Sequence, residues 1–193
     1  QKDPSEMNTQ VGERIYRISM QRVSLGEVVS NSEIFETVTR DVDLIALYMY
    51  DDTQLKEYIQ KNEDNKLVVA LAYLDNYEEA LESVEDVRRS LLIALIDRKI
   101  TKYFSNFDGL VKKLEKDKYF LIMRQSSLEA LKEQRFHILD EVKTVNIGNE
   151  MAITLSIGIG LNAANYIQDY EYSRIAIEMA LGRGGDQVVI KNG

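Results

Sequence analysis

The sequence has no cysteine and no tryptophan, and only one histidine and one proline in 193 residues. Without cysteine there is no disulfide framework, no thiol nucleophile and no thiolate metal site, which suits a reducing compartment. A lone histidine, His137, argues against a Ser-His-Asp triad and against a multi-histidine zinc centre. Positive charge is also short: 24 Lys and Arg stand against 32 Asp and Glu, a net charge of -8. That is the wrong sign for a surface that binds phosphate chains by counterion release, so general nucleic-acid binding is disfavoured. No apolar run approaches the roughly 20 residues of a membrane span, and Gln1-Lys2-Asp3-Pro4 offers neither Met nor a signal core. The chain therefore reads as a soluble fragment of something longer. What is present, 45% hydrophobic and 29% charged residues, is enough for one generous domain or a domain with an appendage.

Residues 1 to about 10 are polar and read as a mobile terminus. RIYRISMQRV (Arg14 to Val23) alternates Tyr16, Ile18 and Met20 with Arg17, Ser19 and Gln21, the period of a half-buried strand. DLIALYMY (Asp43 to Tyr50) is nearly continuous in apolar residues and reads as a central strand, while the stretch between the two is ambiguous. Two such strands are marginal alone and need a further element or a second copy to pack on. Thr53 onward forms a short helix with Leu55, Tyr58 and Ile59, and the polar run Asn62 to Lys66 sets a domain boundary.

The remainder has a regular rhythm. LVVALAYL (Leu67 to Leu74) is a buried strand, followed by a helical region from Asn76 to about Phe104 with Ala80, Val84, Val87, Leu91, Leu95 and Ile100 available for an apolar face. GLVKKL and KYFLIM form a hairpin turning at Glu115 to Lys118. Ser126-Ser127 caps a helix running to Val145 with Leu128, Leu131, Ile138, Leu139 and Val142 inward. MAITLSIGIGL is a strand, Asp169 to Leu181 a helix and QVVIK the final strand. The order β-α-β-β-α-β-α-β predicts an α/β chain, an α+β sandwich of ferredoxin type with helices on a mostly antiparallel sheet.

Three segments in this order carry a resemblance: LAYLDNYEEA (Leu71 to Ala80), TLSIGIG (Thr154 to Gly160) and, most specific, ALGRGGDQVVIK (Ala180 to Lys191). Together they resemble the degenerate GGDEF domain of the GdpP/YybT-type cyclic-di-AMP phosphodiesterases. The resemblance implies a nucleotidyl-cyclase-like fold over 62–193. Residues 1–61, on position and strand pattern, are similar to the last strands of a PAS-like domain with a connector helix. It also implies a parent bacterial protein anchored at the cytoplasmic face of the membrane, with a DHH-type phosphodiesterase module following in the same chain.

Set against the cyclase pattern, the chain departs at all but one of its chemical positions. The first metal-binding Asp of the DxDxFK strand end falls at Tyr73, and only the second acidic position remains, as Asp75. The guanine-contacting Asn and Asp fall at Leu81 and Ser90. The hairpin that would read GGDEF reads Lys116-Asp117-Lys118-Tyr119-Phe120, which puts side chains where glycines let the backbone approach phosphate and Lys118 where a carboxylate would hold the cation. The resemblance therefore implies a regulatory domain without diguanylate cyclase activity, with no catalytic and no metal-ligating residue.

A weak nucleotide site, for ATP with Mg²⁺, is still implied, with Asp75, Lys116, Lys118, Arg183 and Asp186 as candidates. The bland reading of Arg183 to Asp186 is a helix C-terminal cap, and Asp75 serves equally as a helix cap or a ligand contact. His137 lacks an evident partner and reads as a structural or surface residue. Two competing readings stay open: a slow Mg²⁺-dependent ATPase using Asp75, and a ligand-free dimerisation scaffold. The uncovered apolar strands point to a homodimer in any of the three.

Overall fold

The computed structural model describes residues 5–24 and 43–193. The chain divides into two compact units, 1–62 and 63–193. In the first, β1 (Ser5–Val11), β2 (Arg14–Ser24) and β3 (Asp43–Asp51) form an antiparallel sheet in that order. Part of the expected mobile terminus is thus a strand. Gly12, at a φ of +63°, turns a tight β1–β2 hairpin whose register pairs Val11 with Arg14 and Met7 with Ile18. SEMNTQV is polar because it is an edge strand whose described side chains, Thr9 apart, are exposed, and polarity alone hid it. Helix α1 (Thr53–Asn65) follows, opened by the Asp51 carboxylate, which accepts from the Thr53 N–H and hydroxyl. Its last turn occupies 62–65, so the polar run read as a domain boundary is helical up to Asn65. The ambiguous segment of the sequence reading lies, from residue 25 to 42, outside the described residues.

The second unit is an α+β sandwich. A five-stranded sheet has the order β5-β6-β4-β7-β8, formed by β4 (Leu67–Leu74), β5 (Leu110–Lys113), β6 (Lys118–Arg124), β7 (Leu155–Leu161) and β8 (Val188–Asn192). All neighbours are antiparallel except β7 and β8. One face carries α2 (Tyr77–Glu82), α3 (Asp86–Ser105), α4 (Gln125–Glu133) and α5 (Ile138–Lys143). There Val68, Ala70 and Ala72 of β4 meet Leu92, Ile96, Ile100 and Phe104 of α3 and Leu128, Leu131, Ile138 and Val142 of α4 and α5 in one continuous core.

The opposite face carries α6 (Tyr166–Gly182) alone. The two glycines of SIGIG explain how close it lies: a Cβ on Gly158 would sit 2.2 Å from the Ile177 backbone nitrogen, and one on Gly160 would collide with the Asp169 carbonyl oxygen.

Two long helices expected from periodicity are broken. The first stops at Ser83, where the hydroxyl donates to the Ala80 carbonyl and Arg89 Nε reaches the Leu81 and Val84 carbonyls. This rotates the buried row to Leu92, Ile96 and Ile100 at i, i+4 spacing, leaving Val87 89% exposed and Leu91 outside the core it was expected to join. The second breaks at Arg135 and Phe136, both in the left-handed region (φ +52° and +49°), where Phe136 turns inward. His137 consequently sits at the N-cap of α5, exposed, with Nδ1 3.8 Å from Asp140. The strand expected from Met151 begins at Leu155. Asn76 holds 152–154 outside the ladder, donating to the Ala152 carbonyl and accepting from the Thr154 N–H.

Candidate functional site

The C-terminal end of β4, the β5–β6 turn and the α6–β8 loop meet at one pole of the second sheet. The Leu74 N–H donates to the Asp117 carbonyl, the Asp75 N–H to the Thr154 carbonyl, and Asp75 Oδ2 accepts from the Asp186 N–H at 2.8 Å. All five candidate residues lie on these segments, and the structure sorts them into four settings.

Asp75 and Asp186 belong together. Gly185 (φ +74°) passes so close that a Cβ there would stand 2.7 Å from Asp75 Cγ, so only glycine lets the loop turn under that carboxylate. Asp186, itself at φ +54°, places Oδ2 2.6 Å from Lys143 Nζ on α5, and that contact pushes the Lys143 ammonium's pKa up. Asp75 caps this loop rather than helix α2, whose preceding residue is Asn76. One oxygen of each carboxylate, Asp75 Oδ1 and Asp186 Oδ1, is buried without a hydrogen-bond partner. Lys143 was not legible as part of this group, because only the break at 134–137 brings α5 over the loop.

Lys118 faces Tyr73 across the β4–β6 register, with Nζ 5.5 Å from the ring centroid and 2.8 Å from Glu115 Oε2. The bond to Glu115 pushes the ammonium's pKa up, and burial pushes the Tyr73 phenol up against the opposing pull of Lys118. A phenol held neutral and an ammonium held charged offer no anionic oxygen to a divalent cation. Among the described residues no group of three or more His, Cys, Asp or Glu side chains converges as a metal site. The residues at this pole do not fit a resident Mg²⁺ of the kind a cyclase requires.

Lys116 lines a cleft of about 690 Å³ with Tyr77, Glu78, Leu81, Glu82, Arg89, Ile93, Lys113, Leu114 and Glu115. Arg89 is committed to two carbonyls and to Asp86 at 2.9 Å, and Lys113 to both oxygens of Asp97 at 2.8 Å. Lys116 is left as the cation of the cleft with no ion pair or hydrogen bond among the described residues. Behind it, the buried Tyr119 hydroxyl donates to Asp97, and burial drives the phenol's pKa far up. The sequence reading missed Asp97, Lys113 and Tyr119 as a group; the only signal was that Asp97 ends the apolar run Leu91 to Ile96.

Arg183 stands apart from the cleft. Its backbone N–H closes the end of α6 on the Ala180 carbonyl, and Gly184 and Gly185, both at positive φ, complete a C-terminal cap. Its guanidinium is exposed and makes no hydrogen bond or ion pair among the described residues. The cap reading therefore holds for the backbone while the side chain remains free.

Solved structures share this fold. The GGDEF domain of DgcB from Caulobacter crescentus in complex with c-di-GMP superposes with a TM-score of 0.56 at 13% identity, covering 72% of this chain and 84% of that one. The active GGEEF domain of a Vibrio cholerae diguanylate cyclase gives 0.55 at 12%, covering 70% and 89%. At such identity the likeness concerns the fold. Sequence relatives are more specific: cyclic-di-AMP phosphodiesterase PdeA of Listeria monocytogenes is 35% identical over 157 residues, covering 81% of this chain and 24% of that protein. Cyclic-di-AMP phosphodiesterase GdpP of Geobacillus thermodenitrificans is 32% identical over 147 residues, 76% and 22%. In Bacillus subtilis, GdpP is 26% identical over 179 residues, 93% and 27%. The chain thus spans about a quarter of the length of these relatives. Residues 72–193 match the family described as the GGDEF domain of GdpP-like cyclic-di-AMP phosphodiesterases, and the chain belongs to that family.

Proposed function

We propose that the chain is the regulatory portion of a cyclic-di-AMP phosphodiesterase anchored at the cytoplasmic face of a bacterial membrane. Its GGDEF fold has lost cyclase chemistry and passes signals to a DHH-type module of the same protein. The observation that carries this reading is the Tyr73–Lys118 pair: an ammonium 5.5 Å from a phenol ring stands where cyclase catalysis needs carboxylates around Mg²⁺. A positive charge at that point repels a divalent cation and attracts phosphate instead.

The pole then serves as a weak site for a nucleotide such as ATP, which brings its own Mg²⁺. Lys116 on the cleft wall, Lys118 on the hairpin and Arg183 on the α6–β8 loop are its candidate phosphate contacts, while Asp75 and Asp186 hold that loop in shape. The ATPase alternative loses support on the same geometry, because Asp75 Oδ2 is engaged by the Asp186 N–H and Oδ1 is buried. Homodimerisation keeps an observation in its favour. Ile45, Leu47 and Met49, on one face of β3, are 71%, 59% and 62% exposed, an apolar surface of the PAS-like segment that a second copy would cover. Calorimetry with ATP, GTP and cyclic dinucleotides in Mg²⁺ buffer tests the reading: ATP binds without turnover, and GTP yields no cyclic di-GMP. Cyclic di-GMP formed by the purified protein overturns it.

A further inference from the structure

Helices α3 and α5 border a groove of about 470 Å³ whose walls include Arg98, Lys99, Lys102, Tyr103, Asn106 and Glu141. It shares no residue with the cleft of the candidate site, and its charge is different. The candidate cleft sets three cations, Arg89, Lys113 and Lys116, against three carboxylates, Glu78, Glu82 and Glu115. This groove sets three cations against one carboxylate, in a chain whose net charge is -8.

The fold gives these cations little to do. Arg98 and Lys102 are exposed and make no hydrogen bond or ion pair among the described residues. Lys99 Nζ stands 3.5 Å from Glu141 Oε2 and 3.4 Å from Thr144 Oγ1, long contacts that a better-placed anion displaces. Along α3, Arg98 and Lys102 are at i, i+4 and Lys99 and Lys102 at i, i+3, so like charges face one another at a cost to the helix. No carboxylate lies three or four residues from any of the three to offset this. Compensation of the helix dipole explains Lys102, which is in the last turn of α3, but Arg98 and Lys99 lie outside it.

A second, independent feature of the wall is an orphan donor. Tyr103 is only 7% exposed, and its buried hydroxyl has no hydrogen-bond partner to take the proton. Burial pushes the phenol's pKa up and Glu141 adds to this, against the pull of the Ile138 N–H, so the hydroxyl stays protonated.

We infer that this groove binds a small phosphorylated anion, held by Arg98, Lys99 and Lys102. A carboxylate ligand would cancel one of the two excess positive charges, whereas a phosphoryl group near pH 7 cancels both and matches the fork of a guanidinium. The volume falls within the roughly 300 to 1,000 Å³ of small-molecule sites. This site does not depend on the proposed function, and its failure leaves the nucleotide reading as it stands.

The test is calorimetry of residues 1–193 with inorganic pyrophosphate in metal-free buffer of low ionic strength. One pyrophosphate binds per chain, and added salt weakens it. Arg98→Ala combined with Lys102→Ala lowers the affinity at least about ten-fold, the worth of one charge-assisted contact or more, while the melting temperature without ligand stays the same or rises as the repulsion is removed. Lys116→Ala combined with Arg183→Ala leaves the affinity within about two-fold. Three results overturn the inference. One is no binding up to about 10 mM pyrophosphate. Another is binding lost with Lys116 and Arg183 and kept without Arg98 and Lys102, which assigns the anion to the candidate site. The third is adhesion to phosphatidylglycerol vesicles that needs Arg98 and Lys102 while free pyrophosphate does not bind, which assigns the cations to a membrane surface.

Discussion

The two sheets of this chain each hold a strand of closely similar apolar content, β3 in one and β4 in the other, and the two end in opposite conditions. Every residue of β7 is buried, with a helical layer on each face of the sheet, whereas no described side chain of β2 or β3 is fully buried. DLIALYMY and LVVALAYL look alike in the sequence; only the second has a partner on both faces within the described residues. Apolar content therefore tells how much a strand needs to be covered, and says nothing of what covers it.

The largest expected effect breaks the better-covered sheet. Gly160→Val forces two methyl groups into the Asp169 backbone of α6, and a mutation that separates a helix from its sheet belongs among those costing more than about 4 kcal/mol. Unfolding of residues 63–193, read by calorimetric melting, is the expected outcome. Next, the two sheets are set against each other by equivalent truncations. Ile96→Ala, in the core under α3, costs roughly 2 to 5 kcal/mol, while Leu47→Ala costs under about 0.5 kcal/mol of intrinsic stability and instead weakens self-association in light scattering. Equal stability losses would show that the face of β3 is covered within one chain.

A smaller effect separates shape from binding at the candidate site. Gly185→Ala strains a left-handed residue against Asp75 and costs about 1 to 3 kcal/mol with loss of nucleotide affinity. Arg183→Ala leaves the melting temperature nearly unchanged and weakens ATP binding about ten-fold, the worth of one charge-assisted contact of roughly 1.5 kcal/mol. The mildest effect is a pH dependence. Because the folded Tyr119 phenol holds its proton far more tightly than a free tyrosine near 10, its stabilisation is complete below that value and is lost as the pH rises above it. Tyr119→Phe should flatten the alkaline limb of the stability profile above pH 10.

The sequence carried the fold of 63–193 well, because β4, β6 and β7 are dense apolar runs and SIGIG marks the strand that a helix must touch. It carried the helix breaks poorly: 134–137 (QRFH) contains no glycine or proline, and the turn exists because Phe136 gains more by burial than two residues lose by entering the left-handed region. The same break hid Lys143, so the sequence suggested Asp75 and Asp186 as ligand contacts and gave no sign that they pair through the Asp186 N–H. β1 was lost for the converse reason, since a wet edge strand is polar. Arg183 and Lys116, by contrast, were named as candidates from the sequence, and neither side chain makes a hydrogen bond or ion pair among the described residues.

The account's central claim is that a GGDEF fold without cyclase chemistry conveys the occupancy of a nucleotide site to a phosphodiesterase in the same protein. The most direct test follows cyclic di-AMP hydrolysis by the whole protein as ATP is raised, for the wild type and for Arg183→Ala. The account predicts that the rate changes over the ATP range in which calorimetry sees binding, and that Arg183→Ala moves this range about ten-fold upward with the rates at its two limits unchanged. A hydrolysis rate that stays constant while ATP saturates the site would contradict it.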